Sequence, residues 1–121
     1  MALPTLTAAD LAAFHGTAHW YRHGIIRSVL YTDGAKYVAD QAGAYWLLDA
    51  IAIAQACDRR VAAEGLQVWV LVVHDDQRAT LTCEDGNAHR VAQQQIPFTD
   101  FPLSRLTLWC VDKVIMLPGE Y

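Results

Sequence analysis

The longest apolar run in the chain predicts one buried helix. Residues 44–57 read Ala-Tyr-Trp-Leu-Leu-Asp-Ala-Ile-Ala-Ile-Ala-Gln-Ala-Cys, with no Gly or Pro and with apolar side chains on almost every face. A helix of this kind is buried in a protein interior, so we expect it to pack against a sheet.

Near the start of the chain, Thr7 followed by Asp10 fits a helix N-cap. A short N-terminal helix over residues 11–14, ending near Gly16, is therefore also predicted.

Much of the remaining chain alternates between apolar and polar positions and is rich in β-branched and aromatic residues, a pattern typical of strands. A strand over residues 25–31 leads into the turn signal Thr-Asp-Gly, and residues 35–38 are predicted to form the returning strand of a hairpin. Regular structure is expected to end at Pro118-Gly119. Further strands are predicted over residues 66–74, 78–83, 88–96, 105–111 and 114–117.

These elements predict the α+β fold class, in which an antiparallel sheet packs against one long buried helix, with a short N-terminal helix in addition. The chain has 121 residues, of which 54% are hydrophobic and 18% are charged. This composition excludes a disordered chain, and this length fits one domain, residues 1–121.

Charge and cysteine content limit the partners that we expect. The net charge is −4, and the only lysines are Lys36 and Lys113, so direct nucleic-acid binding is not expected. Cys57, Cys83 and Cys110 are odd in number and lie among apolar neighbours, which favours buried thiols in a reducing compartment. No export signal, membrane span or cofactor motif is recognised. We therefore expect a cytoplasmic protein with no cofactor and no membrane partner.

Three histidines, His15, His19 and His23, are spaced four residues apart. On one face of a helix or strand, three imidazoles could hold zinc or nickel. Gly16 and Gly24 interrupt any helix here, however, and no carboxylate stands at a matching offset. We therefore expect no metal and interpret the histidines as residues around a turn.

Asp49 stands in the middle of the apolar helix. A buried carboxylate needs hydrogen-bond donors, and we expect Asp49 to join the helix to the preceding hairpin. The alternative is a general acid or base in a pocket, with His23 as a further catalytic candidate. The donors that the sequence offers are Tyr45, Arg22, His23, Arg27 and Lys36.

Two Thr-Asp pairs provide another candidate site. Asp33 and Asp100 each follow a Thr, and we expect both carboxylates to cap turns. In the alternative hypothesis, the two carboxylates meet at one edge of the sheet and share a cation or a substrate proton.

Aromatic residues are more numerous than a small core usually needs. Trp and Tyr are enriched at protein interfaces, so Trp20, Tyr21, Trp46 and Phe101 are candidate binding residues, unless they fill the core. At the chain end, we predict that Tyr121 folds back onto the sheet or onto residues 99–103. Glu120 is expected to pair with Arg22 or Arg105.

Several phrases of the sequence carry a family resemblance. They are Phe14-His-Gly-Thr17, Trp20-Tyr-Arg-His23, Tyr31-Thr-Asp-Gly-Ala-Lys-Tyr37, Ala44-Tyr-Trp-Leu-Leu-Asp49, Gln67-Val-Trp69, Asp85-Gly-Asn87, Gln95-Ile-Pro-Phe-Thr-Asp-Phe-Pro-Leu103 and Leu117-Pro-Gly-Glu-Tyr121. In this order and spacing, the chain resembles a bacterial family called domain of unknown function 6876. The resemblance implies a single-domain bacterial protein, often encoded on mobile elements, with no assigned activity or cofactor.

Three functions remain open at this point. The first is a non-catalytic binding or inhibitor module that acts on another protein, with a link to mobile elements or host defence. The second is a small enzyme for a small molecule, built around Asp49 or the Thr-Asp loops. The third is a homo-oligomeric scaffold, such as a homodimer, formed by pairing an edge strand. A carboxylate-lined pocket would favour the enzyme, and an exposed aromatic face would favour the binding module.

Overall fold

The computed structural model describes residues 6–121, which form one mixed sheet, four α-helices and one 3-10 helix. The helices are α1 (Ala8–Ala12), α2 (Asp33–Ala42), α3 (Tyr45–Cys57) and α4 (Arg59–Ala62), and a 3-10 helix covers Pro118–Glu120. The strands are β1 (Trp20–Arg22), β2 (Leu30–Thr32), β3 (Leu66–Val73), β4 (Ala79–Glu84), β5 (Arg90–Ile96), β6 (Arg105–Val111) and β7 (Val114–Met116). The α+β class is confirmed.

The sheet has seven strands in the order β1-β2-β7-β6-β3-β4-β5. All neighbours are antiparallel except β2 and β7, which pair in parallel. The expectation of a purely antiparallel sheet is therefore wrong at this one pair. The β1–β2 hairpin is far from β7 in sequence and joins its free edge, so hairpin connectivity does not fix the relative direction of β2 and β7.

The hairpin predicted over residues 25–38 is wrong in its second half, and of its first strand, predicted over residues 25–31, only Leu30 and Tyr31 lie in a strand, β2. Residues 33–42 form α2, because Thr32 caps the helix and accepts a hydrogen bond from the Ala35 N–H at 3.3 Å. The helix ends at Gly43, whose φ of 60° is a left-handed conformation that glycine adopts without strain. The Thr-Asp-Gly signal that suggested a turn is the start of a helix.

The long predicted helix exists as α3, but it is not fully buried and it is not the only helix on its face of the sheet. Leu47, Leu48 and Ile51 face the core, whereas the Ile53 side chain on another face is 46% exposed. Helices α2 and α4 contact α3 and contribute Val38 and Val61 to the same core cluster, so the single-helix layer of the prediction is corrected to three helices. The core cluster lies between them and the strand residues Trp69, Leu71, Leu81, Leu106 and Leu108.

A hydrogen-bonded glutamine pair is buried inside this core. Gln55 of α3 and Gln67 of β3 exchange amide hydrogen bonds at 2.7 and 2.8 Å. Gln67 Nε2 also donates to the Val61 carbonyl at 2.8 Å, and the Trp69 indole N–H donates to Gln67 Oε1 at 2.9 Å. The network connects α3, α4 and β3, and the sequence interpretation did not detect it.

Two of the three cysteines are buried as expected. Burial raises the pKa of the Cys83 and Cys110 thiols to about 12, so neither is a reactive thiolate at neutral pH. Cys57, at the end of α3, is exposed, contrary to the expectation.

Among residues 6–121, no helix is both long enough and apolar enough to cross a membrane.

Candidate functional site

His23 connects the loop after β1 to α3. Its Nδ1 accepts hydrogen bonds from the N–H groups of Ile25 and Ile26 at 3.2 and 2.9 Å, and its Nε2 lies 2.7 Å from Asp49 Oδ1. Because Nδ1 is an acceptor, the neutral ring carries its proton on Nε2 and donates it to Asp49. Both nitrogens of this buried ring are therefore engaged. The predicted burial of Asp49 is wrong, since its side chain is 49% exposed.

We expect His23→Ala to lower the free energy of unfolding by about 1–2 kcal/mol, because two loop amides lose their acceptor. His23→Asn keeps an acceptor near the position of Nδ1, whereas His23→Gln keeps a donor near Nε2. Urea unfolding should show that Asn restores more stability than Gln, since two contacts meet at Nδ1 and Asp49 is half exposed. Equal stability of the Asn and Gln variants would contradict this account.

The other two histidines of the predicted set lie elsewhere. His15 and His19 are exposed in the loop that precedes β1, and no helix or strand aligns them with His23. Within the part of the chain that the structure describes, no three His, Cys, Asp or Glu side chains are grouped so that they could hold a metal ion.

Asp33 begins α2, and its carboxylate binds the segment before β1. Oδ2 accepts the N–H groups of Ala18 and His19 at 2.9 and 3.1 Å, and Oδ1 accepts the Tyr21 hydroxyl at 3.0 Å. The Asp33 N–H donates to Thr17 Oγ1 at 2.9 Å. Partial burial opposes ionisation of Asp33, but the hydrogen bonds outweigh it and hold its pKa below the usual range. The hydrogen bond to Asp33 raises the pKa of Tyr21.

The two Thr-Asp pairs occupy different parts of the molecule. Asp100 is exposed in the loop after β5, where the N–H of the preceding Thr99 donates to the Gln77 carbonyl in the β3–β4 turn at 2.8 Å. Asp33 follows β2, which is separated from β4 by β7, β6 and β3. The two carboxylates therefore do not meet at one edge of the sheet.

A group of charged and aromatic side chains lines the exposed side of α2. Lys36 Nζ lies 2.6 Å from Asp40 Oδ2 and 5.5 Å from the centre of the Tyr21 ring, and the Tyr45 hydroxyl donates to Asp40 Oδ1. Hydrogen bonding to Asp40 raises the pKa of Lys36 and raises the pKa of Tyr45 to about 12. Hydrogen bonds from Lys36 and Tyr45 lower the pKa of Asp40.

Ionisation of Tyr45 gives a prediction at alkaline pH. The folded-state pKa is raised from 10.0 to about 12, so its contribution to stability is present below about pH 10 and is lost as the pH rises through about 12. In a tyrosinate absorbance titration, Tyr45→Phe should remove a component near pH 12. Asp40→Asn should move that component to lower pH. A component near pH 12 that survives in Tyr45→Phe would contradict the assignment.

The resolved pKa shifts in the described residues all move away from neutral pH. An Asp, Tyr, Lys or Cys side chain that acts as a general acid or base near neutral pH usually has a pKa shifted towards neutral. The groups with resolved shifts are therefore stabilised in their usual protonation states. The pKa is lowered for Asp33, Asp40, Asp76 and Asp85, and raised for Tyr21, Lys36, Tyr45, Cys83 and Cys110.

The C-terminal residues contact the start of α2. Glu120 Oε1 accepts the Thr32 hydroxyl at 2.6 Å, and Oε2 accepts the Gly34 N–H at 3.0 Å. The predicted ion pair of Glu120 with Arg22 or Arg105 is wrong. The N-terminal amides of a helix carry partial positive charge, so they stabilise this carboxylate without a basic side chain.

Tyr121 lies beside Trp109 of β6, with ring centroids 5.4 Å apart at an angle of 61°. The tail therefore reaches the sheet, as predicted. Most of the Tyr121 ring, however, is left exposed.

The sheet carries a second apolar surface on the face opposite α2, α3 and α4. Side chains alternate between the two faces along each strand, and the burial pattern follows this alternation along β6 and over residues 66–69 of β3. Val70, Val114 and Met116 are buried but lie outside the core cluster beneath the helices. Half-buried apolar side chains surround them, namely Leu30, Leu66, Val68, Val72, Trp109 and Val111. We call these nine residues the helix-free face.

Polar residues border the helix-free face on two sides, since Thr107 and Arg105 of β6 lie opposite Val70 and Val72 on the same side of the sheet. Thr80 and Thr82 of β4 and Gln93 and Gln95 of β5 continue the same side of the sheet. The surface is therefore apolar at its centre and polar towards β5 and towards the start of β6. The sequence shows the apolar character of this surface in the even-numbered positions of β3. It does not show which side of the strand the helices cover.

The four predicted binding residues are not equivalent. Trp20, 60% exposed in β1, lies on the helix-free side of the sheet, across from Thr32. Tyr21 is half-buried and bonded to Asp33, and Trp46 is half-buried against the core cluster. Phe101 is only 4% exposed, so its ring belongs to the core and cannot contact a partner.

Three side-chain contacts of the candidate site join segments that are distant in the chain, namely Thr17 with Asp33, His23 with Asp49, and Gly34 with Glu120.

Comparison with curated proteins and with solved structures finds no match. The model of a family of unknown function, DUF6876, matches residues 5–121. This match covers nearly the whole sequence, and the chain therefore belongs to family DUF6876.

Proposed function

We propose that the chain is a non-catalytic binding module that acts on another protein through the helix-free face. The observation that carries this proposal is the apolar centre of that face, which lies opposite α2, α3 and α4 and against whose Trp109 the Tyr121 ring packs. Three of its nine residues are buried and six are half-buried, so the face offers a shallow apolar surface, and contiguous apolar surface on a globular domain commonly marks an interaction site. The nearby Trp20 adds a large exposed aromatic side chain of the type enriched at interface hot spots.

The state of the polar groups supports binding over catalysis. Both nitrogens of His23 are hydrogen-bonded, and the Asp33 carboxylate accepts three internal hydrogen bonds. The pKa of Asp33 is lowered, which disfavours the protonated form that a general acid requires. These side chains position backbone segments rather than a reacting group.

The partner that fits this surface presents an apolar patch bordered by basic residues. The net charge of −4 favours encounter with a positively charged surface. Together with the mobile-element setting that the family resemblance implies, this chemistry favours an inhibitor of a basic bacterial or phage protein in the cytoplasm.

The test compares two lysine variants on the same side of the sheet. Val68→Lys places a charge at the apolar centre, whereas Thr82→Lys places the same charge on the polar border. Proteins captured from a lysate of the source bacterium are identified, purified and titrated against each variant by calorimetry. We expect binding at least about tenfold weaker for Val68→Lys, which is a loss of about 1.4 kcal/mol, and no change for Thr82→Lys.

Circular dichroism and melting curves must show that both variants are folded. Equal affinity of Val68→Lys and the parent protein for the purified partner would overturn the proposal. Equal weakening by Thr82→Lys and Val68→Lys would also overturn it, because the effect would then follow net charge rather than the apolar centre.

A further inference from the structure

Strand β5 forms one edge of the sheet. It runs over seven residues and pairs with β4 on one side only. Gln93, Gln94 and Gln95 are exposed, and no other segment of residues 6–121 pairs with the free edge. A strand of this length presents a row of unpaired N–H and C=O groups to solvent.

Edge strands of monomeric proteins usually carry a device that blocks pairing, such as a Lys, a Pro, an inward charge or a very short length. The opposite edge follows this rule, since β1 has three residues and includes Arg22. In β5 the single charge is Arg90, at the first residue, and the rest of the strand is uncharged and lacks Pro. The register irregularity of the β4–β5 pair also lies at this end, between Cys83 and Glu84. The remainder of β5 is therefore open to pairing.

The helix layer is also incomplete beside β5. An open cavity of about 230 Å³ lies between α3 and β5, lined by Ile53, Ala54, Trp69, Leu81 and Ala92, among others. The Ile53 side chain is 46% exposed at this place. A chain that paired with β5 would thus also cover apolar surface in the adjoining layer.

We propose that a second copy of the chain pairs antiparallel with β5 about a two-fold axis at Gln93, so that two seven-stranded sheets become continuous. A pairing centred on Gln93 is the one in which all seven residues of each β5 have a partner. It sets Gln93 opposite Gln93 of the second copy and Arg90 opposite Ile96. The two Arg90 residues are then roughly 20 Å apart along the strands, beyond the screening length at physiological salt.

This pairing goes beyond the proposed function and uses a different surface. Residues directly opposite in an antiparallel pair project on the same side of a sheet. The helix-free faces of the two copies therefore lie on one side of the continuous sheet, and the dimer is bivalent for the partner.

The first test measures mass in solution. Sedimentation equilibrium of the parent protein should give twice the chain mass of 13.4 kDa. Gln93→Lys sets two ammonium groups opposite each other and should yield the monomer, whereas Gln41→Lys on α2 should remain dimeric. A monomeric parent protein at about 100 μM would overturn the proposal. If Val68→Lys dissociates the dimer and Gln93→Lys does not, the second copy occupies the helix-free face, which also overturns it.

The second test measures register by disulfide formation in a Cys57→Ser background, where the remaining Cys83 and Cys110 are buried. Directly opposite positions have Cβ atoms about 4.5–5.5 Å apart, close enough for a disulfide after small shifts, so Gln93→Cys should give a covalent dimer. Gln95→Cys lies about four residues from its copy and should not. A covalent dimer from Gln95→Cys alone would overturn the register. Failure of these tests leaves the partner-binding test unaffected, so the two proposals can fail separately.

Discussion

Gln67→Ala is expected to lower the free energy of unfolding by about 3–5 kcal/mol. The side chain is 2% exposed and is the centre of the buried network. Its removal leaves the Trp69 indole N–H without its acceptor and Gln55 without its amide partner. A buried polar group that loses its partner costs about 1–3 kcal/mol, and the cavity left by the side chain adds to this loss.

Urea unfolding measures this effect, with Gln41→Ala on α2, outside the buried network, as the matched control. In the double variant Gln55→Leu, Gln67→Leu, both amides are absent, and the groups that lose their partner are the Trp69 N–H and the Glu64 carbonyl, which accepts from Gln67 Nε2 at 3.1 Å. We therefore expect its cost to be smaller than the sum of the two single variants. A cost below about 1 kcal/mol for Gln67→Ala would show that water replaces the network.

Gly34→Ala is expected to cost about 2–3 kcal/mol, although alanine favours helices over glycine. A Cβ at Gly34 would lie 2.7 Å from both the Glu120 carboxyl carbon and Leu117 Cδ1. Glu120 must then move, and the hydrogen bonds that it accepts from Thr32 and Gly34 are lost. The N-terminus of α2 therefore loses the Glu120 carboxylate as a hydrogen-bond acceptor.

A second background tests this explanation. In Glu120→Ala, the carboxylate is absent and the flexible Leu117 side chain can rotate away. Gly34→Ala should there become neutral or stabilising by up to about 1 kcal/mol, because only the helix propensity remains. Thermal and urea unfolding of the four proteins in this cycle provide the measurement. If the cost of Gly34→Ala is the same in both backgrounds, contact with Glu120 is not its cause.

The elements that the sequence predicts well are those whose signal is local. Helix α3 and strands β3, β4, β5, β6 and β7 follow from periodicity and turn residues within each segment. Helix α2 shows the limit of this approach. Thr32 and Asp33 suit a turn as well as a helix N-terminus, and the Glu120 carboxylate that completes this N-terminus comes from 86 residues later in the chain.

The candidate site shows the same limit. The sequence offered His23 among the donors for Asp49, but the fully apolar surroundings of residues 44–57 indicated burial that the structure does not show. Gln55 and Gln67 carried no local signal, because an isolated Gln in an apolar run suits a solvent-facing position equally well. Their pairing required α3 and β3 to be in contact.

By itself, the sequence determined the α+β class, the long helix, most of the strands and the family, because these depend on local pattern and on the order of characteristic phrases. Tertiary structure alone decided that α2 is a helix, which polar groups are paired, and which face of the sheet stays without helices. The physical reason is that burial and hydrogen bonding are properties of contacts between distant segments. The alternating residues of β3 are apolar on both sides, so only the position of the helices distinguishes the core from the helix-free face.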